Sequence, residues 1–320
     1  MADCNDLFQS YFTAINIDTT KKTNLKTARE AIRGKIRNYF KDELGFNLPK
    51  FHGQGSYMMK TIVNPLDDEY DIDDGIYLQH LNDGKADWPN PKEVHQWVYD
   101  AVKGHTKEEA VDKPTCIRVI YAGNYHVDLP IYAFCGEVPY LANTGVKGWH
   151  ESDPKKITDW LIEKVSNKSE QLRTIIKYLK AWADYQSLEH GEMPSGLVIT
   201  KLVVDNYVER VRDDVSFART ISSINDSIKV NFDILNPVDS EEVISDRMTV
   251  SVKESFKKLI QRLSNNGESA INEESKKKAC VLWKSEFGDR FYDCDSFKEK
   301  VTAMATSSPA LLKNDARSAK

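Results

Sequence analysis

Residues 70–77 read Tyr70-Asp71-Ile72-Asp73-Asp74-Gly75-Ile76-Tyr77, and the spacing of their charges bears directly on the fold. The run from Ile72 to Leu78, entered from an acidic loop after Asn64-Pro65, predicts a β-strand. Successive side chains on a strand face opposite ways, so Asp71 and Asp73 project from one face while Ile72 points into the core. Two carboxylates on one face can bridge a pair of hard cations about 3.5–4 Å apart, the arrangement used in metal-assisted displacement. The same residues also read as a solvated acidic loop running from Asp67 to Asp74. An EF-hand fails on register, because Gly75 at the sixth loop position would put Tyr70 and Ile72 at the first and third ligand positions.

Upstream, Phe51-His52-Gly53-Gln54-Gly55-Ser56 is a glycine-rich turn leading into a short segment that can begin a helix. Such a turn offers backbone N–H groups and the Ser56 hydroxyl to phosphate oxygens, although most Gly-Ser pairs are only turns. Downstream, Cys116–Tyr121 and Tyr125–Phe134 are β-rich runs joined by Ala122-Gly123-Asn124, which predicts a hairpin. Asp128 then lies within a strand between Val127 and Leu129, and a charge amid apolar neighbours needs compensation. It is the natural third carboxylate. His126 shares its face, either as a partner of Asp128 or as a structural histidine.

The spacing of Leu25, Ala28, Ile32, Ile36 and Phe40 predicts a helix over residues 24–44. Residues 136–155 are rich in Gly, Pro and Asn and read as a loop leaving the first lobe. Beyond them the pattern turns helical: Leu172, Ile175, Ile176, Leu179, Trp182 and Ala183 mark one face, and further runs fall near 196–210, 214–230, 241–264 and 269–286. The predicted class is α+β, with a mixed-sheet lobe over 1–150, whose N-terminal helix packs across both lobes, and a helical lobe over 151–300. A flexible tail over 301–320 follows, and the site lies in the cleft between the lobes.

Composition narrows the function classes. A chain of 320 residues can bury a core without disulfides. Its five cysteines lack a C-x-x-C pair and read as the thiols of a cytoplasmic protein. None of the seven histidines has H-x-x-x-H spacing, and His190-Gly191-Glu192 lacks the P-C-x-x-C of a zinc deaminase. No stretch approaches the ~18 apolar residues of a membrane span, and Met1–Ser10 does not read as a signal peptide. A net charge of −5 and a pI near 5.9 argue against strong binding of duplex nucleic acid.

The order Gly55-Ser56, Asp71-x-Asp73 and a later Asp128 resembles the polymerase-beta-type nucleotidyltransferase superfamily. Within it, Gly53-Gln54-Gly55-Ser56-Tyr57 through Thr61-Ile62-Val63-Asn64-Pro65 to Asp71-Ile72-Asp73-Asp74-Gly75 is similar to the cGAS/DncV-like branch (CD-NTases). That branch makes cyclic oligonucleotide messengers in bacterial anti-phage defence (CBASS). His126-Val127-Asp128-Leu129-Pro130 resembles the branch's third-aspartate strand. The resemblance implies a polymerase-beta-like fold, Mg2+ (or Mn2+) as two ions on Asp71, Asp73 and Asp128, and nucleoside triphosphates, ATP among them, as substrates. Gln54, Gly55 and Ser56 would hold phosphates. Lys177-Tyr178-Leu179-Lys180 resembles the helix whose lysine reaches the donor triphosphate, Lys180 being favoured over Lys177, and Met193-Pro194-Ser195-Gly196 the segment whose serine contacts phosphates. A solvated basic stripe over Arg173, Lys177 and Lys180, and an N-cap role for Ser195, are the plainer alternatives.

Asn236-Pro237 with Asp239 resembles a late motif packing near the base, and Tyr77, Tyr132, Trp149 and Tyr207 are candidates for stacking on bases. Accessory proteins acting on the tail are the partners implied. A linear oligoadenylate-type polymerase and a catalytically silent nucleotide sensor are the alternative functions.

Overall fold

The computed structural model describes residues 1–67, 69–81 and 84–297; the expected tail over 301–320 lies outside them. The chain opens with α1 (Asn5–Ile15) and α2 (Thr19–Asp42). The predicted spacing forms α2, whose buried residues are Leu25, Ala28, Ile32, Ile36 and Phe40, and the Asp18 carboxylate caps it by accepting from the Lys21 N–H at 2.8 Å.

Next come β1 (Lys50–Gln54), the single turn α3 (Gly55–Met58), β2 (Tyr70–Tyr77) and α4 (Pro91–Val102). The sheet then continues through β3 (Val111–Lys113), β4 (Cys116–Tyr121), β5 (Tyr125–Leu129), β6 (Ile131–Cys135), β7 (Val138–Asn143) and β8 (Gly148–Glu151). β1 pairs antiparallel with β2, while β5 and β6 pair with it in parallel. The register Tyr70↔Tyr125, Asp73↔Asp128 and Tyr77↔Tyr132 never shifts, so β5 and β6 are one line of strand along β2. Pro130 interrupts it because its nitrogen cannot donate to the ladder, although its carbonyl still accepts from Ile76 N–H at 2.8 Å. The expected continuous strand over 125–134 is thus divided at one residue.

The loop expected over 136–155 is instead the β7–β8 extension of the sheet. Gly136 and Gly148 have φ of 60° and 56°, so the glycines that suggested a loop are at the reversals of hairpins. The sheet is covered by α2 and α4, with Ile32, Ile36, Ile72, Ile76, Val94, Val98, Val127 and Leu129 in one apolar core.

The remaining elements are α5 (Pro154–Asn167), α6 (Gln171–His190), α7 (Gly196–Asn206), α8 (Asp213–Val230), the short pair β9 (Leu235–Asn236) and β10 (Asp239–Val243), α9 (Val250–Asn272) and α10 (Lys276–Phe287). The helix expected from 241 begins only at Val250, where Thr249 supplies the cap; residues before it go to β10 and a 3-10 turn. A second core gathers Tyr178, Trp182, Phe217, Phe256 and Trp283. Phe8 of α1 sits inside it, with ring centroids 4.9 Å from Trp283 and 5.1 Å from Tyr178. The N-terminal segment therefore splits its two helices between the two cores.

The cysteines need correcting too. Cys280 and Cys294 form a disulfide, with α10 and the following turn bringing their Cα atoms to 5.7 Å, while Cys4, Cys116 and Cys135 are free. Among the described residues no helix is long and apolar enough to cross a membrane.

Candidate active site

Strand alternation delivers the predicted carboxylates. Asp71 and Asp73 stand half-buried on one face of β2, and the parallel register sets His126 opposite Asp71 and Asp128 opposite Asp73. A carboxylate oxygen of Asp71, another of Asp128 and a ring nitrogen of His126 lie within 4.8 Å of one another. Asp74 faces the other way: it is fully buried and held by the Arg33 guanidinium, Nε to Oδ2 at 2.7 Å and Nη2 to Oδ1 at 2.5 Å. The reading of Asp71 to Asp74 as a solvated loop is thereby excluded.

Crowded anionic oxygens raise one another's proton affinity. Burial, with Asp71 and Asp128 beside it, pushes Asp73 up to about 8, and burial raises Asp71 as well. A counter-charge to the cluster is Arg118, which donates to both oxygens of Asp128, Nε to Oδ1 at 2.8 Å and Nη2 to Oδ2 at 2.7 Å. Sequence reasoning missed it. The signal was present in the predicted hairpin, whose turn pairs residue 118 with residue 128. Glu69 adds a further carboxylate 3.7 Å from Arg118 and 3.5 Å from His126 Nδ1.

A stability change follows. The folded, metal-free protein keeps a proton on Asp73 from about pH 4 to about 8, a range in which the unfolded chain has released it. That contribution is lost as pH rises through the window. In chelator, Asp73→Asn should melt with wild type near pH 4 and several degrees above it at pH 8; a constant difference across that range would show that burial and its carboxylate neighbours do not hold a proton on Asp73.

The glycine turn is built around Asp73. Gly55 has φ +70°, and a Cβ there would stand 2.0 Å from Asp73 Oδ2, so backbone conformation and close approach both require glycine. The Ser56 carbonyl accepts from the Thr61 N–H at 2.9 Å, closing the turn. Gln54 donates to the Tyr132 hydroxyl at 3.1 Å, and its buried Oε1 has no protein partner among the described residues.

The three basic residues of α6 do not form a solvated stripe. Lys180 Nζ donates to Thr61 Oγ1 at 3.1 Å and lies against Gly196 at the start of α7, and burial draws its ammonium down to about 8 against the pull of Asp71. Ser195 is exposed and caps that helix, accepting from the Val198 N–H at 3.4 Å. Lys177 faces elsewhere, donating to Asn16 Oδ1 at 2.5 Å in a separate basic cavity with Lys22, Lys60 and Arg173. Arg173 is buried between the Met59 carbonyl, at 3.1 Å, and Glu170. Of the proposed phosphate residues, Gln54 lines a cavity with Asp73 and Asp128, Gly55 packs on Asp73 with Ser56 next in the chain, Lys180 feels the charge of Asp71, and Ser195 precedes the Gly196 that Lys180 lies against.

A cavity of about 540 Å³ opens on Gln54, Asp73 and Asp128, with Lys147, His150 and Arg247 also in its lining; none of these three was singled out from sequence. Asn236 and Asp239 line the adjoining cavity that shares them. The aromatic candidates lie mostly away from this cavity. Tyr77 and Tyr132 stack on each other at 4.8 Å and are nearly fully buried, Trp149 donates to the Pro89 carbonyl at 2.8 Å, and Tyr207 donates to Gln171 at 2.8 Å. Only Tyr132 borders the cavity.

Residues 49–132, which hold this whole carboxylate cluster, match the family model described as "Cyclic GMP-AMP synthase DncV-like, nucleotidyltransferase domain". The chain carries a DncV-like nucleotidyltransferase domain. A cyclic GMP-AMP synthase of Escherichia albertii is 30% identical over 227 residues, covering 68% of this chain and 49% of that protein. A cyclic AMP-AMP-AMP synthase of Acinetobacter sp. is 25% identical, covering 79% of this chain and 76% of that protein. The aligned stretch spans about half the length of the cyclic GMP-AMP synthases it matches. In fold, the chain resembles the crystal structure of Vibrio cholerae DncV cyclic AMP-GMP synthase, a prokaryotic cGAS homolog, with a TM-score of 0.76 at 20% identity over 90% of this chain and 98% of that one. The DncV-like domain therefore sits in an α+β architecture of the kind its sequence resemblance implied.

Proposed function

We propose that this chain is a cyclic oligonucleotide synthase: it joins nucleoside triphosphates, ATP among them, releases pyrophosphate and closes the product into a ring. The observation carrying the proposal is the Asp71–Asp73–Asp128 cluster, built on two parallel strands beside the Gly55-Ser56 turn. Its support from relatives is that proteins similar to this one are named as synthases of cyclic GMP-AMP and cyclic AMP-AMP-AMP. Bacterial anti-phage defence, with accessory proteins acting on the tail, is the setting proposed.

The donor set fits divalent cations. Burial and mutual repulsion hold Asp73 protonated near neutral pH without them, and positive charge on the cluster would favour the ionised form. Asp71, Asp73 and Asp128 would hold two Mg2+ or Mn2+ ions, which when bound make an acceptor hydroxyl more acidic and neutralise charge on departing pyrophosphate. Asp128 would take the hydroxyl proton, with the Arg118 guanidinium, which donates to both its oxygens, holding its carboxylate in orientation. Lys180 and the N-terminus of α7 form one anion-attracting corner for the donor triphosphate, and Ser56 with the Gly55 turn forms another. Lys147 and Arg247 give the cavity beside Asp73 and Asp128 positive charge for the phosphates of the second nucleotide, and the His150 ring lines it with them. Rate then comes chiefly from alignment and charge stabilisation.

Pyrophosphate release from nucleotide mixtures tests the reading: wild type should release it with Mg2+ or Mn2+, and Asp128→Asn should not. Equal release by both would remove Asp128 from the chemistry. Ser56→Ala should lower kcat/KM by roughly 10- to 100-fold, the worth of one hydrogen bond to a charged phosphate, and less than loss of the aspartates does. A loss equal to theirs would give Ser56 a larger role than phosphate contact.

A further inference from the structure

His126 lies two residues before Asp128 on the same strand face and directly opposite Asp71. One of its ring nitrogens is within 4.8 Å of ligand oxygens from both aspartates. The residue is 6% exposed, and its Nε2 is buried with no hydrogen-bond partner among the described residues. The other nitrogen, Nδ1, has Glu69 Oε1 at 3.5 Å, and a carboxylate beside one imidazole nitrogen favours placing the proton there and leaving the other nitrogen with a lone pair. Leaving a buried nitrogen unpaired is costly, and a ligand shared with two carboxylates removes that cost.

We propose that His126 coordinates, through a ring nitrogen, a divalent cation shared with Asp71 and Asp128, and that this ligand set prefers a first-row transition dication over Mg2+. The inference rests on the metal-dependent reading given under Proposed function and deepens it. Mg2+ favours six oxygens and retains several waters, whereas imidazole raises affinity for transition cations in preference to it. His126 is then a ligand that sets metal choice. The competing arrangement has the imidazole outside the coordination sphere, hydrogen-bonded to Asp71, with no nitrogen on the metal.

Electron spin echo envelope modulation of Mn2+ bound to the full-length protein separates the two. The expected spectrum shows 14N modulation from a coordinated imidazole, which changes to the 15N pattern when the protein carries 15N-histidine. It should vanish in His126→Gln and persist in His150→Gln, the other histidine near the cluster. If His126→Gln does not fold, persistence of the labelled-histidine coupling in His150→Gln supports the assignment, and its loss there overturns it. Competition between Mn2+ and Mg2+ should show the wild-type preference for Mn2+ falling by about tenfold or more in His126→Gln. Mn2+ bound in wild type and lost in Asp71→Asn, yet without nitrogen coupling, overturns the inference and leaves the proposed function standing. Failure to bind Mn2+ at all, with or without nucleotide, overturns both.

Discussion

Changing Asp71 and Asp73 together to Asn is expected to lower nucleotide transfer by about 10³-fold or more while leaving the protein folded. The two carboxylates share one face of β2 and their ionised forms oppose each other across a buried site, with Asp128 adding to the repulsion. Amides cannot bring divalent cations to the donor phosphates with the same strength, so the loss falls on turnover. The same change removes like charges, so melting without metal should occur at the wild-type temperature or above it. Activity retained above a few per cent of wild type, in a protein shown to be folded, would end the metal assignment.

Gly55→Ala should also produce a large effect, and for a reason that lies in the backbone. A residue with a side chain at φ +70° is strained by roughly 1–2 kcal/mol. The added methyl would also meet Asp73 Oδ2 at 2.0 Å and Cγ at 3.0 Å, so the carboxylate must turn away or the glycine turn must open. A shift of this kind at a reacting centre costs about 10²-fold in rate. Measured at a temperature where the variant remains folded, kcat should fall by that order while the melting temperature drops by a few degrees. Wild-type kcat in a folded Gly55→Ala protein would show that Asp73 does not need its observed position.

The carboxylate pair was legible in the sequence because a strand's two-residue period is simple: Asp71-Ile72-Asp73 can present its charges together in only one way. Asp128 was legible because an isolated charge between Val127 and Leu129 demands a partner. The identity of that partner, Arg118, needed the hairpin register as well as the hairpin. Lys177 and Lys180 illustrate a limit of helical spacing: three residues apart on α6 they share a side of the helix, yet one ends on Asn16 and the other on Thr61, because segments distant in sequence decide what each meets. Composition misled at residues 136–155, where glycines that fit a loop equally fit hairpin reversals. Of the cavity residues, Lys147 and His150 belong to the β7–β8 hairpin while Arg247 lies far along the chain in the turn before α9, so only the tertiary structure joins the three. Tyr77 and Tyr132 were chosen for their rings, but neighbouring positions on paired strands stack those rings on each other.

Product analysis separates ring closure by a metal-dependent nucleotidyltransferase from linear chain growth. Purified full-length protein is incubated with labelled nucleoside triphosphates and Mg2+ or Mn2+, treated with phosphatase, and its products are weighed by mass spectrometry, with the Asp71→Asn/Asp73→Asn protein as control. The predicted result is a phosphatase-resistant compound of two to four nucleotides whose mass has one phosphate per nucleoside and no terminal phosphate, absent from the control. A ladder of phosphatase-sensitive linear oligomers as the main product, dependent on the same aspartates, would keep the nucleotidyltransferase and contradict the cyclase.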